Sequence, residues 1–123
     1  MAEKIMLPIS FELSYPPSVN TYWRRVGPRT IVSRKGRAYQ EQVAALIKHS
    51  QLDLHLDCAL SISVDIYPPD GRRRDIDNVT KALLDAMCKA GVYKDDSLIK
   101  RLQLEMYKPH RPDGLIHISI DLY

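Results

Sequence analysis

"LSISVDIYPPDGRRRDIDNVTKALLDAMCKAG", residues 60–91, changes its period halfway along. In the first eight residues Leu60, Ile62, Val64 and Ile66 alternate with Ser61, Ser63 and Asp65, which is the spacing of a strand with one buried face. "PPDG" then breaks the chain. From about Asp77 to Ala90 the apolar residues Val79, Leu83, Ala86, Met87 and Ala90 recur at helical spacing, with Gly91 placed as a C-terminal stop. A strand followed directly by an amphipathic helix implies helices packed on a sheet.

The flanking sequence extends the pattern. "ISFELSY" (9–15) alternates, with Ile9, Phe11, Leu13 and Tyr15 on one face, and the prolines of "PPSVN" end that strand. A loop is expected through "GPRT". Ser33 is then placed as an N-cap for a helix over "RKGRAYQEQVAALIKHSQL", with apolar face Tyr39, Val43, Leu46 and Ile47, Ala44 beside them, and Gly36 weakening the first turn. Ile99–Lys108 and Leu115–Leu122 alternate again, and "KPHRPDG" between them reads as a hairpin loop. The expected fold is α+β: a two-layer domain with a mixed sheet of about four strands and two main helices, in the order β-α-β-α-β-β.

The 123 residues suit one domain spanning 1–123 with a small core. No apolar run approaches the length of a membrane span, and "MAEKIMLPIS" lacks the apolar core of a secretory signal. The two cysteines, Cys58 and Cys88, form no CxxC pair, and the four histidines show no ligand spacing. A reducing cytoplasm, no zinc and no membrane are the expectations.

The net charge is +3, but its distribution is uneven. Between Leu13 and Gln40 there is no acidic residue, while Arg24, Arg25, Arg29, Arg34, Lys35 and Arg37 are all basic, with Tyr22 and Trp23 among them. One sign with interleaved aromatics suggests a nucleic-acid face, although a solvated basic loop fits the charge equally well.

"GRRRDIDNVTK" (71–81) sets Arg72, Arg73 and Arg74 against Asp75 and Asp77, with Lys81 one helical turn beyond Asp77. Residues two apart in an extended approach to a helix can aim at one point. Asp95 and Asp96 follow the helix, ~20 Å from Asp77 along a straight axis. Carboxylates gathered together repel unless a cation joins them, and hard oxygen ligands suit Mg²⁺ or Mn²⁺. Metal-holding aspartates beside phosphate-holding arginines are what phosphodiester hydrolysis requires. Simpler readings stand beside this one. Asp75 or Asp77 can cap a helix, Asp77 can pair with Lys81 at the surface, and "DD" can be a turn.

Three segments carry a resemblance: "YPPSVNTYWR", "RRRDIDNVTKALLDAMCKAG" and "VYKDDSLI". In order and spacing they resemble the PPS-x-N, D-x-D-N-x-x-K and paired-aspartate motifs of the RusA family of Holliday junction resolvases, over nearly the whole chain. The resemblance implies a homodimeric, Mg²⁺-dependent endonuclease, with Mn²⁺ as a substitute, that nicks four-way junction DNA symmetrically during recombination and repair. It implies Asp75, Asp77 and Asp96 as metal ligands, Lys81 as the catalytic lysine, and a chain that turns back after Gly91 to bring Asp96 to the metal. Arg72, Arg73, Arg74 and the basic block at 24–37 are then the DNA contacts. The alternatives are a DNA-binding module without catalysis and a metal-dependent nuclease acting on flaps or other branched DNA.

Overall fold

A computed structural model describes residues 7–123. The expectation drawn from Met1–Met6, that no secretory signal opens the chain, lies outside the described residues. Eleven elements follow in order. They are strand β1 (Ile9–Leu13), the single-turn helix α1 (Val19–Tyr22), strands β2 (Trp23–Val26) and β3 (Arg29–Val32), helix α2 (Arg34–His49), strand β4 (Leu60–Tyr67), a 3-10 turn (Ile76–Val79) leading into helix α3 (Thr80–Lys89), a second 3-10 turn (Asp96–Leu98), and strands β5 (Ile99–Met106) and β6 (Leu115–Leu122). The architecture is the α+β arrangement expected, a mixed four-stranded sheet with two main helices.

The four strands lie in the order β1-β6-β4-β5. β4 is central, pairing parallel with β5 and antiparallel with β6. Ile62, Val64 and Ile66 of β4 sit opposite Ile120, Ile118 and Ile116 of β6, and this row is buried. It forms one cluster with Tyr39, Val43 and Ile47 of α2 and with Ala82, Leu83, Ala86 and Met87 of α3. The opposite face of β4, with Ser61, Ser63, Asp65 and Tyr67, is only partly covered. Every second residue of the strand is therefore apolar because helices cover one face alone.

Three expectations are corrected. β5 and β6 are consecutive but do not form a hairpin, because β4 lies between them. A parallel β4–β5 pair needs a crossover, which α3 supplies. β5 carries Lys100, Arg101 and Glu105 and suits an edge, whereas the isoleucine row of β6 requires the covered centre. "KPHRPDG" thus crosses the end of β4: the amides of Tyr107 and His110 donate to Ile66 O and Pro68 O (2.8 Å each), and Tyr107 stacks on Tyr67 at 5.0 Å between centroids. Second, the loop expected through "GPRT" is a hairpin. β2 and β3 pair in register from Trp23–Val32 to Val26–Arg29 about a Gly27–Pro28 turn, with Gly27 at φ +58°. Its strands are short and arginine-rich, so no alternating apolar pattern marks them. Third, Leu46 lies outside the buried stripe of α2 and is 37% exposed. That stripe is the narrow i, i+4, i+8 row of Tyr39, Val43 and Ile47.

Ser33 caps α2 as expected, its Oγ accepting from the Gly36 amide at 3.0 Å. Gly36 does more than weaken the first turn. A Cβ there would lie 2.5 Å from Tyr22 O and 2.6 Å from Val32 Cγ1. In an open helix Gly→Ala gains roughly 0.8–1.0 kcal/mol. Here Gly36→Ala is expected to lower the thermal midpoint followed by circular dichroism, because α1 must move away from α2. A raised midpoint would show that the contact yields freely.

Candidate active site

The break after β4 is wound around Arg74. Its Nη1 donates to Asp70 O (3.0 Å), Asp70 Oδ1 (2.8 Å) and Arg72 O (3.2 Å), while the Arg72 amide donates to Asp70 Oδ1 at 2.9 Å. These bonds hold the Asp70 carboxyl down to about 2. Arg74 is consequently turned inward onto Asp70, while Arg72 and Arg73 remain exposed. The chain leaves this knot extended at Asp75 and enters the 3-10 turn that leads into α3.

Asp75 occupies the cap position, but its side chain makes no capping hydrogen bond. Among the described residues Asp77 and Lys81 form no ion pair. Two simpler roles for these residues are thus not realised. Instead Asp75, Asp77 and Lys81 line one cleft of about 540 Å³, together with Asn78 and Thr80. The opposite wall is α1, which contributes Val19 and Asn20. Asn20 belongs to the "PPSVN" segment and was not singled out from sequence; only its place in that motif marked it. On the α3 side, Thr80 Oγ1 is buried with no hydrogen-bond partner among the described residues. Lys81 stands exposed, opposite the buried Val79, Leu83 and Met87.

After α3 the chain does fold back. Gly91 adopts φ +89°, the Lys94 amide donates to Leu56 O at 2.9 Å, and the Tyr93 hydroxyl donates to Leu84 O at 2.6 Å. This return brings Asp96 within reach of the charges of Asp85 and Lys81, although Asp96 is not among the side chains lining the cleft. Among the described residues, no three His, Cys, Asp or Glu side chains converge as a metal site. Although Asp96 is exposed over part of its surface, its carboxyl is pushed above the ordinary value by partial desolvation and by the charges of Asp85 and Asp95, against the opposing pull of Tyr93 and Lys81. Asp95 plays the turn role, accepting from the Ser97 amide at 3.0 Å, and its carboxyl is held low by that serine.

Asp85 escaped the sequence reading. It lies one turn beyond Lys81 on the same face of α3. Its Oδ2 accepts from the Tyr22 hydroxyl and from Gln40 Nε2 (3.0 Å), and Gln40 Nε2 also donates to the Tyr22 oxygen at 2.7 Å. Burial, then the bond to Asp85, pushes the Tyr22 phenol above its usual range. Lys81 therefore stands between two acidic pairs, Asp75/Asp77 and Asp85/Asp96. Of the other basic residues, Arg24, Arg25 and Arg29 are exposed on the hairpin, and Arg34, Lys35 and Arg37 are exposed on the first turn of α2. Alternation along β2 sends Arg24 and Arg25 to opposite faces.

A small α+β domain that sets paired carboxylates and a lysine in one cleft, with exposed arginines just before it in the chain at Arg72 and Arg73, defines a class built to handle phosphodiesters. The comparisons make this specific. The family model described as Endodeoxyribonuclease RusA matches residues 14–121, and the chain belongs to that family. It is 46% identical over 86 residues to the crossover junction endodeoxyribonuclease rusA of Enterobacteria phage HK97, covering 70% of this chain and 72% of the relative. It is 44% identical over 90 residues to the crossover junction endodeoxyribonuclease RusA of Escherichia coli strain K12, covering 73% and 75%. The protein of the same name from Enterobacteria phage 82 is 45% identical over 87 residues, covering 71% and 72%.

The two neighbouring aspartates should respond oppositely to pH. A carboxyl raised by folding favours the protonated fold, so its contribution is present below the ordinary 3.8 and is lost as pH rises through the raised value. Metal-free Asp96→Asn should therefore match the native chain in urea at acid pH and equal or exceed its stability near neutrality. Asp95, lowered by folding, contributes above its ordinary value and loses that contribution as pH falls through the lowered one. Asp95→Ala should reduce the urea midpoint near neutrality. A less stable Asp96→Asn at neutral pH would assign Asp96 a structural contact.

Proposed function

We propose that this chain is a single RusA-like nuclease domain acting in the cytoplasm as a homodimeric, Mg²⁺-dependent endonuclease that resolves four-way DNA junctions by paired nicks. The observation that carries the reading is the convergence of Asp75, Asp77 and Lys81 on one cleft. The names of the relatives supply the substrate class.

The donor chemistry fits a hard divalent cation. Asp75, Asp77 and the Asn78 amide offer oxygen ligands in one cleft, and Mg²⁺ is typically bound by one or two carboxylates with substrate phosphates completing its shell. The same set accommodates Mn²⁺, while Cys58 and Cys88 are separate free thiols that offer zinc nothing. A cation held there supplies charge neutralisation at phosphate and a water of lowered pKa. Asp96 is the proposed third carboxylate, approaching from the far end of α3.

The chain's own groups do the rest. Asp75 and Asp77 present negative charge on the cleft floor, which by itself repels DNA. The Lys81 ammonium, exposed between the acidic pairs, meets the non-bridging oxygens of the scissile phosphate and stabilises the charge that develops there. Arg24, Arg25, Arg29, Arg34, Lys35, Arg37, Arg72 and Arg73 hold flanking phosphates and set the strand's position. One chain carries one set of these groups, and two strands must be cut, so a two-fold dimer matches a junction of approximate two-fold symmetry. The unpaired outer edge of β5 is available for such pairing. A binding module without catalysis gains nothing from carboxylates placed against a phosphate.

Incubation with Mg²⁺ and labelled junction, flap and duplex DNA tests the reading. Junctions should be cut in preference, and light scattering should give about twice the monomer mass. Asp75→Asn, Asp77→Asn and Asp96→Asn should each abolish cleavage while junction binding is equal or tighter, since a charge that repels phosphate is gone. Near-normal cleavage by one of them removes that residue from the ligand set. Lys81→Ala should lose rate severely and keep its melting temperature.

With about six to ten phosphate contacts, affinity should drop roughly 10³–10⁵-fold between about 50 and 200 mM salt. A flat salt response would sink the assignment of the basic residues.

A further inference from the structure

The β2–β3 hairpin pairs with no strand of the main sheet and forms a two-stranded sheet of its own. Its position depends on its two feet. At one foot lies Tyr22, fully buried, and at the other Ser33. The feet are tied together: the Ser33 amide donates to Tyr22 O at 2.8 Å, and Ser33 Oγ donates to Thr21 O at 2.5 Å. The same Tyr22 carbonyl sits against Gly36, the position of α2 where a side chain would collide with it.

One polar link then runs from this foot to α3. The Tyr22 hydroxyl donates to Asp85 Oδ2, and Gln40 of α2 donates to both of them. Lys81 and Asp85, at i and i+4, share one face of α3, and Asp77 lies in the 3-10 turn that leads into it. We propose that Asp85 is a positioning residue: through Tyr22 and Gln40 it holds α1, with Asn20 and the arginine hairpin, in fixed register against the cleft wall that carries Asp77 and Lys81. DNA held on the hairpin is thereby referenced to the cleft in which it is to be cut. The proposal rests on the nuclease reading for its consequence in catalysis, but the mechanical link can be measured apart from it.

The link is suited to positioning because neither end can do without it. The Tyr22 side chain is fully buried and its hydroxyl has no solvent to replace a lost acceptor, while Gln40 is half-buried; an unsatisfied buried donor disfavours the docked arrangement. Tyr22 belongs to the same buried cluster as the Ile62, Val64, Ile66 row and the α3 stripe, but the β4–β6 ladder that carries this row is paired along its whole length without α1, so undocking α1 leaves the ladder in place.

The experiment compares Tyr22→Phe, Asp85→Leu and Asp85→Asn with the native chain. Hydrogen exchange read by mass spectrometry should accelerate over residues 18–33 in Tyr22→Phe and Asp85→Leu, while β4 and β6 keep their protection. Junction affinity without metal should be unchanged in Tyr22→Phe, because every charge remains, and equal or tighter in Asp85→Leu. The single-turnover rate at saturating junction and Mg²⁺ should fall roughly 10- to 100-fold, the scale of loss when reacting groups are misplaced by about an ångström. Asp85→Asn keeps an acceptor oxygen for both donors and should restore protection and most of the rate. Unchanged exchange over 18–33 in Tyr22→Phe overturns the proposal whatever the activity. Faster exchange throughout the sheet also overturns it, by making the network a part of the general core. An Asp85→Asn as slow as Asp85→Leu overturns it too, by assigning Asp85 a charge at the reacting centre. Should the native chain cut no branched DNA, the nuclease reading falls and the exchange data still decide the link.

Discussion

The parallel pairing of β4 with β5 is the constraint on which the site depends. Two parallel neighbours cannot be joined by a tight turn, so the chain must leave the end of β4, cross the sheet and return to its beginning. α3 is that crossing, and its apolar stripe is bound to the covered face of β4. The N-terminal end of the helix therefore lies just beyond the C-terminal end of β4, at the break where the chain is least regular. Asp75 and Asp77 occupy that break. Crevices outside the carboxyl ends of strands are where open α/β sheets commonly place their ligands, and acidic side chains are at home at a helix N-terminus.

The same geometry explains the mixture of charges. Arg74 is a structural cation: it gathers Asp70 and two backbone carbonyls and gives the break a fixed shape. Arg72, whose Nε lies 3.8 Å from Asp70 Oδ2, and Arg73 remain exposed to solvent or substrate. Asp95 likewise belongs to its turn, and Asp96, one residue on, is kept partly desolvated among like charges. Adjacent residues of one type have separate tasks here because each task depends on where the carboxyl or guanidinium ends up, not on its position in a motif.

α1 and the hairpin connect this centre to the basic surface. α1 is too short to be stable alone, since a single turn bears the whole cost of helix nucleation. It is held from outside by Ser33, by the gap at Gly36 and by the Tyr22–Asp85–Gln40 network. Two segments distant in sequence thus enclose one cleft, and the side chains that join them are mostly not the ones facing it.

Periodicity and punctuation made much of this legible in advance. Alternation in β4 and β6, the helical stripe of α3, the Ser33 cap and the Gly91 stop are local signals, and local steric and burial preferences enforce them. The pairing of Asp75 with Asp77 and the placement of Lys81 were legible for the same reason, because i, i+2 and i, i+4 relations are properties of the backbone. The order of the strands was not. Whether β6 joins β5 or β4 depends on which edge offers an apolar partner under helices, a comparison of surfaces far apart in sequence. The hairpin escaped because a strand pair held by its feet needs no apolar alternation of its own. Asp85 escaped because a carboxylate on a half-exposed helical face looks like solvent charge until Tyr22, 63 residues away, is packed against it. Only the folded chain brings that phenol to it, since burial of the ring leaves its hydroxyl no other acceptor.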